Sequence, residues 1–371
     1  MLSKSMSLPL KVGIIGAGVI ARGHHVAAFR KRPDRIVLAA VCDPARDLAL
    51  ALAAEAGGNA AIFADHREML SAASIDAVII ATPHHLHAQL AEDCVLAGKP
   101  VLVEKPLVCN LAEMRRLRQL SAERRVPVVA GQMRRFEPEA RWLRNWIASA
   151  PENFGNLVSF DIQAWQNLEG YVFPSGAGHR HWLLDGARAG GGVTISLAIH
   201  QLDLIRFLFN ADFAAVTAHG RFDPPFHGGA ESTAVVLLSM TNGAHGVLHA
   251  NYLAPRVPYC EALTAFGANG TIIQHAEKLG DYRGHFSFSS SGGQRTTAWN
   301  QQFEGFLPVP SGAFDGMDPD SFVNQLVAFA EAITSGRTPA NSIDENFNTI
   351  ACIEAIHQSM RGGETTHVQV V

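Results

Sequence analysis

This sequence lacks a large excess of either positive or negative charge. Among its 371 residues, 30 Lys and Arg stand against 34 Asp and Glu, which gives a net charge of −4 at pH 7. A chain so nearly balanced has no basic field that would gather phosphate backbones or anionic lipids. We therefore expect neither nucleic acid nor a membrane surface as a partner.

Cysteine is scarce, and its positions form no recognisable pattern. The chain has five cysteines, an odd number, and no two of them have C-x-x-C spacing: Cys42, Cys94, Cys109, Cys260 and Cys352. This spacing argues against a disulfide framework, a zinc site or a redox motif. Buried free thiols in a reducing compartment fit it best.

Long hydrophobic runs are missing as well. No uncharged apolar stretch reaches about 18 residues, the length that a membrane-spanning helix needs. Residues 1–10 include one Lys and lack the apolar centre of a signal peptide. With 47% hydrophobic and 17% charged residues, we expect a folded, soluble, cytoplasmic protein, and the length suggests two domains.

Up to about residue 133, short apolar runs alternate with helical segments. Strands are predicted over residues 12–15, 37–42, 77–81, 100–103 and 127–130. Their largely uninterrupted apolar character is typical of strands that helices cover on both faces. A helix is predicted over residues 110–125, with Asn110 as its N-cap. This alternation predicts an α/β domain with a parallel sheet over residues 1–133.

A different pattern follows residue 133. Helices are predicted over residues 137–150, 193–209, 320–334 and 344–360, and strands over residues 157–165, 232–240, 246–252 and 260–266. Thr241-Asn242-Gly243, between two of these strands, is a strong hairpin signal. Residues 134–371 are therefore predicted to form an α+β domain around a mostly antiparallel sheet.

The first predicted strand leads directly into a glycine-rich loop, Gly16-Ala17-Gly18-Val19-Ile20-Ala21. In such a G-x-G-x-x-A loop, Gly16 permits a tight turn and Gly18 lets a pyrophosphate approach the backbone. Ala21 lets the next helix pack on the strand, and the amides at the start of this helix, at Val19 and Ile20, face the phosphates. The loop in this context predicts a Rossmann dinucleotide-binding domain.

An acidic residue, Asp43, ends the second predicted strand at the distance that such a domain requires. Its carboxylate would accept hydrogen bonds from the adenosine ribose hydroxyls and would repel a 2′-phosphate, which favours NAD over NADP. Arg46, three residues further on, could pair with a phosphate. NADP therefore stays as the less favoured cofactor.

Polar residues follow two other predicted strands. Thr82, Pro83, His84 and His87 come after residues 77–81, and Gln132 comes after residues 127–130. Ligands of open α/β sheets bind at the carboxyl ends of the strands, so we expect these residues to line the cofactor. The two histidines share a helical face, but no Cys or carboxylate completes a ligand set, and no metal is predicted.

The strand over residues 100–103 ends in Glu104-Lys105-Pro106, and at this point the chain resembles the Gfo/Idh/MocA family of oxidoreductases. The resemblance rests on the glycine loop, Thr82-Pro83 with His87, Ala97-Gly98-Lys99-Pro100, Glu104-Lys105-Pro106, and Gly190-Gly191-Gly192 followed by His200 and Asp203. It extends over nearly the whole chain. It implies a second domain with a large open-faced sheet and assembly as a homodimer or homotetramer.

The resemblance also implies the roles of the site residues. Lys105 would reach the reacting oxygen beside the cofactor, next to Glu104, and its bond to Pro106 would be cis. A lysine ammonium can stabilise developing alkoxide charge and take part in proton transfer. His200 would act beside it as acid or base, and Asp203 would orient the substrate or the histidine.

One position departs from the common family pattern. The helix over residues 193–209 is predicted to be amphipathic, and at 100° per residue Ser196, His200 and Asp203 fall within about a 60° sector of it. The residue four before the histidine is Ser196 rather than the usual Asp, so we expect His200 to be a weaker base. Upstream, Arg180 and His181 lie in a loop suited to substrate hydroxyls or a carboxylate.

These observations predict an NAD(P)-dependent enzyme that transfers hydride between nicotinamide and a secondary hydroxyl or ketone of a sugar, cyclitol or related polyhydroxy compound. Lys105 and His200 would handle the proton. Two other functions remain open at this point. One is a dinucleotide or sugar sensor without turnover, and the other is an NAD-assisted hydrolase or lyase with no net redox change.

Overall fold

The computed structural model describes residues 7–149, 151–168, 181–253, 259–276, 285–290, 307–310, 312 and 315–370. The chain divides into two compact units. The first unit contains residues 1–133 and 322–350, and the second contains residues 134–321 and 351–371. Along the chain, the first unit gives way to the second between residues 133 and 134. Residues 322–350 belong to the first unit, although the sequence placed them in the second domain.

The first unit is built on a six-stranded parallel sheet in the order β3-β2-β1-β4-β5-β6. Its strands are β1 Leu10–Ile15, β2 Ile36–Cys42, β3 Ala61–Phe63, β4 Ala77–Ile80, β5 Val101–Glu104 and β6 Val128–Gly131. Its helices in the part before residue 133 are α1 Val26–Lys31, α2 Arg46–Glu55, α3 His66–Ala72, α4 His87–Leu96 and α5 Leu111–Arg124. The five predicted strands are confirmed, and the short, partly exposed β3 was not predicted.

Local sequence chemistry explains the start of helix α5. The side chain of Asn110 accepts a hydrogen bond from the backbone N–H of Glu113 at 2.9 Å. The side chain of Glu113 in turn accepts the backbone N–H of Cys109 at 2.9 Å. These two contacts use N–H groups that no helical carbonyl can reach, so the predicted N-cap is confirmed.

The described chain continues with six further helices: α6 Pro138–Ser149, α7 Pro151–Phe154, α8 Gly186–Ala189, α9 Ile199–Phe209, α10 Ser321–Ser335 and α11 Ile343–Gly362. Helix α10 explains why a late segment belongs to the first unit. Its apolar residues Val323, Leu326 and Phe329 are buried in the same core as Val12 and Ile14 of β1. Burial of this apolar face stabilises the packing of α10 against the core of the first unit.

The second unit contains a nine-stranded sheet in the order β14-β13-β12-β11-β7-β10-β9-β8-β15. These strands are β7 Leu157–Trp165, β8 Phe213–Arg221, β9 Thr233–Met240, β10 His245–Asn251, β11 Cys260–Gly267, β12 Gly270–Ala276, β13 His285–Ser290, β14 Leu307–Pro308 and β15 Thr366–His367. Among the described strands of this sheet, β7 and β10 are the one pair that runs in parallel, so the prediction of a mostly antiparallel sheet is confirmed. The predicted hairpin joins β9 and β10.

The helix predicted over residues 193–209 differs from expectation in two ways. Residues Thr194–Ala198 form a π-helical turn, and only then does α9 begin. Side chains around the whole circumference of α9 are buried, so the helix is not amphipathic. The stretch Gly186–Phe209 is long and apolar enough to cross a membrane, but most of it is buried inside the unit, as core helices are.

All five cysteines lie within the described residues and are free thiols, four of them buried and Cys109 partly so. Burial raises the pKa of the Cys42 thiol to about 11, with smaller contributions from nearby carboxylates. Burial likewise raises the pKa of the Cys109 thiol to about 12. The prediction of buried free thiols is confirmed for Cys42, Cys94, Cys260 and Cys352.

Candidate functional site

The strand order reverses between β1 and β4, and this reversal creates the crevice where open α/β sheets bind ligands. Gly16 follows β1 with φ +96°, and a Cβ there would lie 2.4 Å from the carbonyl oxygen of Ala81. At Gly18, by contrast, a Cβ would meet no atom within 4 Å. A side chain at Gly16 would thus clash with the neighbouring strand end, whereas the absence of a side chain at Gly18 leaves open space above the loop.

A helical segment starts directly after this loop, at Val19. The side chain of Val19 is exposed, that of Ile20 is partly buried, and Ala21 is fully buried against the core. The small side chain of Ala21 therefore packs as predicted. Residues Ala21–His25 form a π-helical turn, which the sequence did not reveal.

Asp43 holds the glycine loop through its carboxylate. One oxygen, Oδ2, accepts the backbone N–H of Ala17 at 2.8 Å, and Oδ1 accepts that of Ala45 at 2.8 Å. The carboxylate thus lies beside the loop where a dinucleotide would bind. An anion in this position disfavours a second phosphate on the ribose.

His87 contacts backbone carbonyls through both ring nitrogens. Nδ1 lies 2.7 Å from the carbonyl oxygen of Pro106, and Nε2 lies 2.8 Å from that of Thr82. Burial lowers the pKa of His87, although these carbonyls and Glu104 act in the opposite direction. Because both nitrogens already contact the protein, His87 joins two strand ends rather than reaching a cofactor or a metal with its ring nitrogens.

Two buried polar groups at strand ends have no hydrogen-bond partner within the described residues. They are the hydroxyl of Thr82, after β4, and the side-chain amide of Gln132, after β6. Buried polar atoms are normally satisfied, so such groups fit a site completed by a ligand. His84, also predicted here, is buried with its ring 5.7 Å from that of His87.

Glu104 ends strand β5, and the partly buried Lys105 follows it with a cis bond to Pro106, as predicted. Oε1 of Glu104 lies 2.8 Å from Nε2 of the buried His25. Burial alone would raise the pKa of Glu104, but the hydrogen bond and charge of His25 and the charge of Lys105 hold it below its usual value. Glu104 is therefore an anion beside Lys105.

The residues of the first unit fit a dinucleotide. The open space at Gly18, the anchored carboxylate of Asp43 and the orphaned amide of Gln132 all lie at the carboxyl ends of the parallel strands. Bound there, NAD would rest its phosphates on the loop and its ribose near the carboxylate. Among the described residues, no three His, Cys, Asp or Glu side chains form a group that could hold a metal.

In the second unit, Ser196 and His200 are buried near the start of α9. Ser196 lies in the π-helical turn, so the predicted 100° spacing does not apply between these two residues. Asp203 is fully buried, and Arg135 donates to both of its carboxylate oxygens, at 2.5 and 2.8 Å. Asp203 therefore forms a buried ion pair with Arg135.

The glycine triplet is explained by a buried network that the sequence did not reveal. A Cβ at Gly192 would lie 1.9 Å from the carbonyl oxygen of Glu231, and one at Gly191 would lie 2.5 Å from the ring of His357. Glu231 accepts the backbone N–H groups of Gly192 and Thr194, each at 2.8 Å. The triplet is the only local signal for this network, because its other members are distant in the sequence.

Arg180 and His181 were both predicted to contact the substrate. Arg180 lies outside the described residues. His181 is partly buried, and its Nδ1 accepts the backbone N–H of Leu183 at 3.3 Å, which caps a short 3₁₀ turn. Burial and, to a lesser extent, the charge of Arg188 lower the pKa of His181.

Comparison with known proteins agrees with this geometry. A family model described as an oxidoreductase family with an NAD-binding Rossmann fold matches residues 10–132, and a GFO/IDH/MocA C-terminal domain matches residues 141–273. Inositol 2-dehydrogenase 1 of Saccharopolyspora erythraea is 31% identical over 219 residues, or 57% of this chain and 58% of that protein. D-apiose dehydrogenase of Paraburkholderia graminis is 28% identical over 97% of this chain and 90% of its own.

The fold also has counterparts among solved structures. Levoglucosan dehydrogenase, in complex with NADH and levoglucosan, aligns with a TM-score of 0.82 and 21% identity over 97% of this chain and 99% of its own. At this identity the likeness concerns the fold. Since models of one family match both the Rossmann part and the sheet that follows it, the chain belongs to the GFO/IDH/MocA family of NAD-binding oxidoreductases.

Proposed function

We propose that the protein transfers hydride reversibly between NAD(H) and a secondary alcohol or ketone of a sugar, cyclitol or related polyhydroxy compound. The observation that carries this proposal is Lys105, which directly follows β5 at the carboxyl end of the NAD-binding sheet, beside the anionic Glu104. The relatives named above act on compounds of this class by their names.

In this proposal Lys105 and His200 handle the proton. When bound, NAD would accept the hydride from the carbon that bears the hydroxyl, or return it. The Lys105 ammonium stabilises negative charge that develops on the substrate oxygen, and its nitrogen receives or supplies the proton. His200 acts as the second acid or base.

Ser196 and Asp203 are proposed to shape the surroundings of His200. Ser196, which is neutral, occupies the position that is commonly a carboxylate in this family. The Arg135 guanidinium neutralises Asp203, which lies three residues after His200 in α9. Because the neutral Ser196 stabilises an imidazolium less well than a carboxylate would, His200 is the weaker base and Lys105 takes the larger part in proton transfer.

The test is reduced-nicotinamide absorbance with NAD and NADP across cyclitols, aldoses, sugar acids and anhydro-sugars. We expect a signal with NAD that the Lys105→Ala variant reduces at least 10²-fold, as is typical for loss of a positioned acid or base. Lys11→Ala, which changes an exposed lysine of the same unit, is the control. The Lys105 variant should still bind NADH.

Other outcomes identify the two alternative functions. Tight NADH binding with no turnover on any compound, and with Lys105→Ala indistinguishable from wild type, would favour a sensor. A released glycosyl or other leaving group, with no net change in NADH, would favour the NAD-assisted hydrolase or lyase. Either result would contradict the proposed dehydrogenase.

We also propose that the chain assembles as a homodimer or homotetramer through the open face of its nine-stranded sheet. Val235, Leu237, Val247 and Phe266 share this face and are 50%, 59%, 39% and 38% exposed. Apolar patches of this kind on a sheet are typical of interfaces. Light scattering should show smaller particles for Leu237→Lys, whereas Leu96→Lys, at an exposed leucine of α4, should leave the size unchanged.

A further inference from the structure

A buried histidine–carboxylate pair lies beside Lys105 and has no part in the proton transfer proposed above. Nε2 of His25 lies 2.8 Å from Oε1 of Glu104, and the two side chains are 0% and 9% exposed. His25 belongs to the helical segment after the glycine loop, whereas Glu104 ends β5. The pair therefore joins the dinucleotide-binding loop to the strand end that carries Lys105.

The second oxygen of Glu104 reaches the backbone of Lys105. Oε2 accepts the Lys105 N–H at 3.3 Å, so the carboxylate is held on one side by a ring and on the other by a peptide group. Gly131 on the neighbouring strand leaves room for this arrangement. A Cβ at that glycine would lie 3.0 Å from the Cα of Glu104 and 3.3 Å from its Cδ.

His25 is itself fixed in place. Its ring lies edge-on to that of Phe322 in α10, with 5.6 Å between the centroids. It ends a π-helical turn, a feature that is rare in helices and frequent at functional sites. Within the described chain, Nδ1 of His25 has no hydrogen-bond partner. With a proton on Nε2, the ring donates this hydrogen bond to Glu104.

We propose that His25 is a positioning residue for Lys105, because it fixes the Glu104 carboxylate that holds the Lys105 backbone and places a negative charge beside the ammonium group. The inference rests on the proposed function for its catalytic meaning. A nearby anion favours the charged form of a lysine. The titratable groups that face this carboxylate are Lys105, His25 and His87, and His87 interacts electrostatically with both Glu104 and Lys105. A change at His25 therefore alters the proton affinity of Lys105 without touching it.

The experiment measures that proton affinity directly. The rate at which acetic anhydride labels Lys105 in the cofactor-free protein is followed against pH by peptide mass spectrometry, with the exposed Lys11 as internal standard. We expect Glu104→Gln to speed labelling about 3- to 10-fold below the midpoint, because half to one pKa unit is a 3- to 10-fold change in free amine. His25→Leu should speed it in the same direction by a smaller factor.

Two further variants separate hydrogen bonding from general disturbance. His25→Gln keeps an amide donor that can reach Glu104, so its labelling should stay within about twofold of wild type. His66→Leu removes a histidine that contacts Asp93 at 2.7 Å, a matched pair on helices α3 and α4, and should leave Lys105 unchanged. Wild-type labelling of Lys105 in folded His25→Leu, or in folded Glu104→Gln, would overturn the proposal.

If His25→Leu does not fold, His25→Asn takes its place, because its shorter side chain does not reach Glu104. Equal labelling in the Asn and Gln variants would then overturn the proposal. In the active enzyme we expect His25→Leu to lower kcat about tenfold, to shift its pH profile and to leave the NADH Kd within about threefold. Labelling requires no turnover, so full activity in Lys105→Ala would refute the proposed function while the labelling result stands.

Discussion

The carboxylate of Glu231 accepts the backbone N–H of Gly192 at 2.8 Å. Its other oxygen accepts both the backbone N–H and the hydroxyl of Thr194. His357 in α11 lies 3.4 Å from the same carboxylate. One buried acid thus ties the glycine triplet to the first turn of the helical segment that carries His200, and the position of that histidine depends on it.

The first prediction concerns the charge of this acid. Glu231→Gln keeps the shape of the side chain but leaves the partly buried imidazolium of His357 without its anion. We therefore expect a loss of about 3 kcal/mol in the free energy of unfolding at pH 6, the lower end of the range for a broken buried pair. Denaturant unfolding measures the change. Asp223→Asn, which alters a carboxylate paired with the exposed Arg221, is the control and should leave the free energy of unfolding nearly unchanged.

The same pair predicts a pH dependence. Burial alone would lower the pKa of His357, but the charge and hydrogen bond of Glu231 raise it above 6.5. Burial alone would raise the pKa of Glu231, but His357 and Thr194 hold it below 4.5. Stability from the histidine is complete below pH 6.5 and is lost as pH rises through its raised pKa. Stability from the acid is complete above pH 4.5 and is lost as pH falls through its lowered pKa.

The advantage of wild type over Glu231→Gln should therefore be largest between pH 4.5 and 6.5 and should shrink above that range. A series of unfolding curves from pH 5 to pH 9 gives this difference directly. A difference that grows steadily with alkalinity would contradict the assignment of the pair as an ion pair.

Local patterns were enough to predict much of the first unit. The uninterrupted apolar runs mark the buried strands, and Asn110 marks the start of α5, because both depend on residues close in the chain. Gly16 could be predicted for the same reason, since the loop follows its strand directly. The places of the glycine loop and of Lys105 at strand ends therefore follow from the sequence, whereas the role of Lys105 rests on the family resemblance.

The remaining features depend on contacts that no local pattern records. His25 and Glu104 are 79 residues apart, and Thr194 and His357 are 163 residues apart. A π-helical turn adds a residue to a helical turn, so the 100° periodicity misplaces Ser196 relative to His200. The sequence of α10 predicts an apolar face, but it does not predict which of the two sheets this face packs against.

The second prediction concerns Asp43. Asp43→Ala removes the acceptors of the Ala17 and Ala45 N–H groups, so the glycine loop loses its anchor and the NADH Kd should rise at least tenfold. Asp43→Asn, which loses the charge but keeps an acceptor, should improve NADPH binding relative to NADH. Fluorescence titration with both cofactors measures this, with Asp47→Ala in α2 as control. An unchanged Kd in Asp43→Ala would contradict the anchoring role.

The third prediction concerns Glu139 in α6. Burial, assisted by the charge of Glu137, raises the pKa of Glu139 to about 7, although a backbone hydrogen bond from Phe286 acts in the opposite direction. The folded protein therefore holds this proton while the unfolded chain has lost it, and stability falls as pH rises from 4.5 to about 7.

Glu139→Gln should consequently raise the free energy of unfolding by about 1 to 2 kcal/mol at pH 8 and change it little at pH 4.5. Glu152→Gln, at an exposed acid of α7, should have no such effect at either pH. A gain of equal size at both pH values would show that ionisation of Glu139 is not its cause.

The last prediction concerns Arg135 and Asp203, which form a buried two-point ion pair at 2.5 and 2.8 Å. Arg135→Met leaves a buried carboxylate without a partner, and we expect it to cost about 3 to 5 kcal/mol in the free energy of unfolding. Asp203→Leu leaves a buried guanidinium and should cost a similar amount. The guanidinium also lies over the ring of Phe207, 5.5 Å from its centroid, so part of its packing is apolar.

The double variant decides between an ion pair and two independent packing contacts. If each charge stabilises the fold mainly through the other, removing both leaves no unpaired buried charge. The double variant Arg135→Met with Asp203→Leu should then be at least about 2 kcal/mol more stable than the sum of the two single losses predicts. If the losses simply add, the charges act independently. Because Asp203 lies three residues after His200 in α9, we expect turnover to change in parallel with stability. Both single variants should turn over more slowly than the double variant. If the double variant turns over as slowly as the slower single variant, the loss of activity does not follow the loss of stability. Asp203 itself would then contact the substrate.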